Sequence, residues 1–188
     1  MQITTLRLHL GNDWTIPATE FAKGSPKQTS LLIADAGRKS TAEHVRRLLD
    51  RGQRVIAADP FYFGGAALPD HDSLYALLIG AVGERPLGIQ AGQVAAVARW
   101  ARLNGGRKPV TVVAVGPRTS TIALVAAAIE TKAIGSVELH DPLPSLKEII
   151  EKNYTVEKMP ELFCYGLLRD FDVKDIAALV APRPVHGL

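Results

Sequence analysis

The sequence predicts an α/β fold, a doubly wound and mostly parallel sheet with an antiparallel start, layered between helices as a three-layer sandwich. Three observations predict it. The first forty residues read as extended, hairpin-like structure, with near-alternation of polar and apolar side chains and breaks at turn residues. From Ser30 onward, short apolar runs alternate with stretches of helical periodicity, as strands covered on both faces and joined by helices would. Finally, 188 residues with 47% hydrophobic and 22% charged residues suffice for one globular domain without a metal or disulfide staple.

Taken in order, Ile3, Leu6, Leu8 and Leu10 form a first strand, and Gly11-Asn12-Asp13 turns the chain. Trp14–Phe21 is the second strand, closed by Lys23-Gly24-Ser25-Pro26. Ser30-Leu31-Leu32-Ile33-Ala34 is a parallel strand, followed directly by Asp35-Ala36-Gly37. Ser40-Thr41-Ala42-Glu43 reads as a capping box, opening a helix whose stripe is Val45, Leu48 and Leu49 and which Gly52 ends. Val55–Ala58 is the next strand, stopped by Asp59-Pro60. A loop over Phe61–Leu68 leads through Asp70-His71-Asp72 to a helix over Leu74–Val82, and a longer helix covers about Ile89–Leu103. Val110–Val115 is the most strand-like run and breaks at Gly116. A helix follows with Ile122, Val125, Ala126 and Ile129 on one face. Val137 and Leu139 mark a short strand, and Ser145-Leu146-Lys147-Glu148 a second capping box with Ile149 and Ile150 behind it. Short helices near Glu161–Leu168 and Val173–Val180 precede Pro182-Arg183-Pro184 and a strand stub, Val185–Leu188. No repeat or linker divides the chain, so 1–188 reads as one domain.

Composition narrows the partners. The net charge is +3, with cations scattered among acids, which does not point to nucleic acid. Arg46, Arg47, Arg51 and Arg54 form the densest basic cluster, but Glu43 and Asp50 lie among them at helix spacing. That reads as a solvated, partly paired face rather than a phosphate track. One cysteine excludes an intrachain disulfide and Cys-rich metal sites, and says little about compartment. The longest apolar runs, Leu74–Val82 and Ile122–Ile129, are far shorter than the ~20 residues of a membrane span. The N-terminal residues lack a signal peptide's apolar core, so a soluble chain is expected and no membrane partner.

In such sheets, ligands and chemistry collect where strand C-terminal ends meet helix N-termini, here the loops after Ala34, Ala58, Val115 and His140. The sharpest feature is Val112-Val113-Ala114-Val115-Gly116-Pro117-Arg118-Thr119-Ser120. A strand running through Gly into a helix is the framework of a nucleophile elbow, G-x-S-x-G. Gly116 matches its first Gly, Arg118 stands at the nucleophile, and Ser120 replaces the second Gly. A guanidinium stays protonated at any working pH and cannot attack an ester.

Around this point the chain resembles the α/β-hydrolase superfamily, in its dienelactone hydrolase and acetyl xylan esterase-like branch, from about Trp14 to the end. The run Val55-Ile56-Ala57-Ala58-Asp59-Pro60-Phe61-Tyr62-Phe63-Gly64 is similar to that fold's fourth strand, which often ends in Asp and a Gly-bearing loop. The stretch from Asp172 through Pro182-Arg183-Pro184 to Val185 is similar to the helix and approach to its seventh strand. The resemblance implies an α/β-hydrolase-like sandwich that is degenerate and C-terminally short. In that family the triad acid follows the strand after Pro-Arg-Pro and the histidine comes one strand later, whereas this sequence stops at Leu188. A triad works as a unit, so the family's activity is not expected to follow its fold.

Two readings fit Arg118: a solvated arginine at a helix start, or an anion site in which it joins the amides of Thr119, Ser120 and Thr121 on a carboxylate or phosphate. Asp35, at the position the resemblance assigns to the oxyanion hole, either flanks backbone donors or neutralises Arg118 across the sheet. His140 is a titrating group on the same edge or part of a turn at Asp141-Pro142. Asp70-His71-Asp72 reads as a polar loop rather than a metal site, His186 as structural, and Cys164 as an apolar filler. No metal or cofactor is expected, and no G-x-G-x-x-G follows any strand. The expected function is a non-catalytic, esterase-like module for binding a small anionic or ester ligand, or for assembly. The alternative is a carboxylic-ester hydrolase that uses Ser120 or is completed by a missing C-terminal segment. The strand stub, an open edge, predicts a homodimer through the C-terminal residues or contact with further domains of a parent protein.

Overall fold

Where side chains alternate between core and solvent the strands lie at one edge, and where whole runs are apolar they lie in the middle. The computed structural model describes residues 1–68 and 71–188. Among them seven strands form one sheet in the order β1-β2-β4-β3-β5-β6-β7. β1 (Gln2–Leu10) and β2 (Trp14–Ala22) are an antiparallel hairpin, and β2 also runs antiparallel to β4 (Gln53–Ala58). The rest, β3 (Gln28–Ala34), β5 (Val110–Val115), β6 (Ile134–His140) and β7 (Val185–His186), are parallel to one another and to β4. β3 and β4 are buried along nearly their whole length, as their apolar runs require.

The two faces of the sheet are covered unequally. On one face, α3 (Pro86–Leu103), α4 (Pro117–Ile129) and α7 (Val173–Val180) enclose the main core, with Leu31, Ile33, Ile56, Val112 and Leu139 beneath them. Ala91, Ala98, Ala123, Ala126 and Ala127 take part in this core, small residues that let α3 and α4 approach closely. On the other face, α1 (Ala42–Asp50) sets Val45, Leu48 and Leu49 on Leu32, Val55, Ala57 and Val113. Beyond α1 that face turns polar, and its side chains pair with one another. Ser30 Oγ donates to Gln53 Oε1 at 2.6 Å, Gln28 Nε2 to Thr111 Oγ1 at 3.2 Å, and Thr111 Oγ1 lies 2.8 Å from Ser136 Oγ.

Several local expectations change. Ser40 makes no capping box; it ends a 3-10 turn over Arg38–Ser40 and donates to the Gly37 carbonyl, so α1 starts one residue later, at Ala42. Ser145 makes none either, because its hydroxyl is drawn to Asp172 across 27 residues, and α5 (Glu148–Glu151) is a single turn. The box that forms is Asp172–Asp175 at the start of α7, with the Asp172 amide donating to Asp175 Oδ2 at 2.8 Å. The helix expected over Glu161–Leu168 is a 3-10 turn, Pro160–Leu162, and then α6 (Leu167–Asp170), separated by Gly166 in a left-handed conformation. The helix after the 61–68 loop is α2 (Asp72–Ala81). Arg54 is not solvated. It is buried on the α3 side, bidentate to Glu20 at 2.8 Å and donating to the Ala101 and Asn104 carbonyls at the end of α3. Pro182-Arg183-Pro184 docks β7: Arg183 Nη1 donates to the carbonyls of Glu130 and Ile134, and the Val137 amide to the Pro184 carbonyl.

Candidate functional site

The parallel pairing of β3 with β5 brings their C-terminal ends level, Ala34 beside Val115, so Asp35 and Gly116 emerge side by side. Gly116 turns the chain with φ 110° and passes directly over Asp35, where a Cβ would run into the carboxyl group. Only glycine meets both demands. α4 then begins at once, with Pro117 in the first turn, where a missing amide hydrogen costs nothing. The positive φ therefore belongs to Gly116. Arg118 is an ordinary helical residue, not the strained apex that presents a nucleophile.

The start of α4 is occupied by the chain's own carboxylate. Asp35 Oδ2 accepts from the Arg118 amide at 3.1 Å, and Oδ1 from both the amide and the hydroxyl of Thr119 at 2.7 Å. This is the place an external anion was expected to take, and the Ser120 amide there donates to the Gly116 carbonyl at 3.0 Å. Burial pushes the Asp35 carboxyl above its ordinary range, opposed by the bonds from Thr119 and Arg118. Asp35 thus meets Arg118 at its backbone rather than at its guanidinium. The segment after β3 has few donors left: the Asp35 amide donates to Val115 and the Gly37 amide to Ala34.

The guanidinium of Arg118 turns instead to Glu161. Nε donates to Oε1 at 2.6 Å and Nη2 to Oε2 at 2.8 Å, while the Arg118 side chain is 16% exposed and that of Glu161 is fully buried. The cation lies 4.5 Å from the centre of the buried Phe63 ring. Burial works against its charge, but the bonds and charge of Glu161 outweigh it, so Arg118 holds its proton more firmly than a free arginine. The Arg118 guanidinium is therefore paired inside the protein rather than left to solvent. Ser120 is buried, and its hydroxyl has no hydrogen-bond partner among the described residues. Tyr62, at φ 73°, is likewise buried with an unpartnered hydroxyl, and burial with the charges of Asp72 and Glu161 pushes its phenol far up.

A second buried carboxylate ties the neighbouring loops together. Asp59, just after β4, accepts from the Arg38 amide at 2.6 Å and the Gly65 amide at 2.7 Å, and pairs with the Arg38 guanidinium. His140 is not brought to Arg118. Its ring turns to the α1 face, 3.0 Å from Glu138 Oε1, 3.3 Å from Arg47 Nη2 and edge-on to His44. Burial, then the charges of Arg47 and His140, lower the His44 pKa. The expected pairing of the basic cluster is redirected, since Arg51 reaches Glu138 on β6, 3.4 Å away. His186 is exposed on β7. Cys164 is half-buried, and burial pushes its thiol up. Asp72 Oδ1 accepts from the Leu68 amide at 3.0 Å, while Asp70 lies outside the described residues. Among the described residues no group of three or more His, Cys, Asp or Glu could hold a metal, and no helix is long and apolar enough to cross a membrane.

Glu161 and Arg38 are the residues of this site that sequence reasoning missed. Asp59 carried a signal, since it ends a strand next to a glycine-bearing loop. Glu161 carried none, being 43 residues from Arg118 in a segment expected to be helical.

No protein-family model matches the chain, and no curated protein does. Solved structures do. A putative acetyl xylan esterase from Bacteroides fragilis superposes at TM-score 0.67 and 16% identity, over 98% of this chain and 62% of its own. An esterase from Pyrococcus furiosus gives 0.64 and 12%, over 99% and 80%. A dienelactone hydrolase from Anabaena variabilis gives 0.55 and 14%, over 73% and 62%. The chain thus spans less than two thirds of the length of two of these three proteins. The similarity shows the fold, that of the α/β-hydrolases, with the antiparallel start and parallel remainder expected from the sequence.

Proposed function

We propose that this α/β-hydrolase-fold chain is a non-catalytic domain whose elbow has become a structural joint, and that it works by binding a small ligand and by self-association. One observation carries the reading. The group at the nucleophile position is a guanidinium locked to buried Glu161, and the amides beside it are capped by Asp35. Acyl transfer needs a nucleophile with a base beside it and free donors for the oxyanion. The Ser120 hydroxyl is buried without a hydrogen-bond partner among the described residues, and the Thr119 hydroxyl is buried and held on Asp35 and the Val115 carbonyl. The expected result with p-nitrophenyl acetate and butyrate is no rate above buffer, in the parent chain and in Ser120→Ala alike. Turnover that disappears in Ser120→Ala would overturn the proposal.

Self-association is supported by α2. Its outer side exposes Leu74, Leu77 and Leu78 at 50–62%, with Val82 just beyond, while Ala76 is buried beneath. A helix that is apolar all round is ordinarily buried on every side. The edge strand β7 adds only two residues. A second copy packed α2 against α2 about a two-fold axis covers the larger surface. Sedimentation velocity at micromolar concentration should show a dimer that Leu77→Asp converts to monomer. A species of about 20 kDa for the parent chain throughout would exclude it.

A further inference from the structure

We propose that the groove between α1 and the β2–β4 strip of the sheet binds a small amphipathic carboxylate, a medium-chain fatty acid in kind. The proposal rests on the binding role put forward above and gives it a place and a ligand class.

The groove follows from side-chain size. Thr19 on β2 pairs with Ala57 on β4, and both side chains face α1's side of the sheet. α1 packs on this side chiefly against β4 and less closely against β2, with Val45, Leu48 and Leu49 over Leu32, Val55, Ala57 and Val113. Beside that contact, between α1 and the Thr19 and Phe21 side chains of β2, a concavity of about 440 Å³ remains, within the range that small-ligand sites occupy. Phe21, Ala57, Val45 and Leu49 give it an apolar floor.

Its charge is one-sided. Arg38, Lys39 and Arg46 line it and no carboxylate does. Arg38 is held by Asp59, but Lys39 and Arg46 have no ion-pair partner among the described residues. α1 also starts at the groove, with Thr41 and Ala42 in its wall, while Glu43 of the same turn does not line it. An apolar floor beneath unpaired cations matches a chain that is apolar along its length and anionic at one end.

Calorimetric titration of the full chain with hexanoate, octanoate and decanoate tests this. Binding should be saturable and tighten about fourfold per added methylene, as burial of each group predicts. Decanol should bind at least tenfold more weakly than decanoate. Arg46→Glu should weaken decanoate at least tenfold. Ala42→Trp, which fills the groove from an exposed position in the first turn of α1, should abolish binding with the circular dichroism spectrum unchanged. Four results would overturn the proposal: no saturable decanoate binding, unchanged binding in a folded Ala42→Trp, decanol as tight as decanoate, or attachment to anionic vesicles without binding of free decanoate. The ester assay reads the elbow separately. Ester turnover overturns the non-catalytic reading, and absent decanoate binding overturns the groove alone.

Discussion

At the C-terminal end of β5 the buried Arg118 and Glu161 are paired with each other, whereas at the start of α1 two cations, Lys39 and Arg46, face an apolar groove with no ion-pair partner among the described residues. The cause is burial. The Arg118 side chain is 16% exposed and that of Glu161 is not exposed at all, so neither charge can rely on water and each must have the other. Lys39 and Arg46 are exposed and stay solvated without a partner. The loop after β5, where α/β sheets often gather their chemistry, is a closed joint, whereas the unpaired cations lie at the loop after β3 and on α1.

The largest expected effect breaks the closed half of that contrast. Glu161→Ala leaves a buried guanidinium unpaired and should cost about 3–5 kcal/mol in urea unfolding, because the uncompensated charge stays desolvated. Replacing both Arg118 and Glu161 by methionine should recover most of that loss, since well-packed apolar side chains often equal a buried ion pair. If Glu161→Ala costs less than about 1 kcal/mol, Arg118 is reaching water and the joint is open after all.

Next comes Asp35, which closes the joint from the other side. Asp35→Asn keeps the shape but sets an NH2 group against an amide that a carboxylate oxygen now accepts from, and that lost bond should cost about 1–2 kcal/mol near neutral pH. The pH dependence sharpens the test. Burial, opposed by Thr119 and Arg118, holds the Asp35 carboxyl above its ordinary 3.8, so between 3.8 and the raised value the folded chain carries a proton the unfolded chain lacks. This group therefore adds stability as pH falls through that window and withdraws it as pH rises. Asparagine does not titrate. The deficit of Asp35→Asn against the parent should widen as pH is lowered toward 3.8, and a deficit that stays constant would show that Asp35 does not titrate there.

The same contrast explains what could be read from the sequence. β3, β4 and β5 were legible because strands buried on both faces are written as unbroken apolar runs such as Leu31-Leu32-Ile33 and Val112-Val113-Ala114. The strand–Gly–helix turn was legible for the same reason. The site's charge pairing was not. Ser40 and Ser145 both carry the local capping pattern, yet Ser145 bonds Asp172, because a tertiary partner outcompetes a motif four residues long. Glu161 meets Arg118 only when the 141–166 segment folds back over the sheet edge, a path with no periodicity to announce it. The groove was hidden for a further reason. It depends on how closely α1 approaches β2 beside β4, which the stripe of Val45, Leu48 and Leu49 does not encode.

The smallest expected effect concerns Ser120, which lies inside the closed joint and yet takes no part in it. Its hydroxyl is buried without a partner, so the fold already bears the desolvation of that group and gains no hydrogen bond from it. Alanine is the better helix former and removes the orphaned group, at the expense of a void about one oxygen atom in size. These terms oppose each other and are both small. Ser120→Ala should therefore leave the urea midpoint within about 0.5 kcal/mol of the parent, or move it slightly upward. A loss above about 1 kcal/mol would mean that the hydroxyl has a partner, such as an ordered water between α4 and its neighbours. That water would be a polar opening in an otherwise closed joint, and the contrast with the groove would narrow by that much.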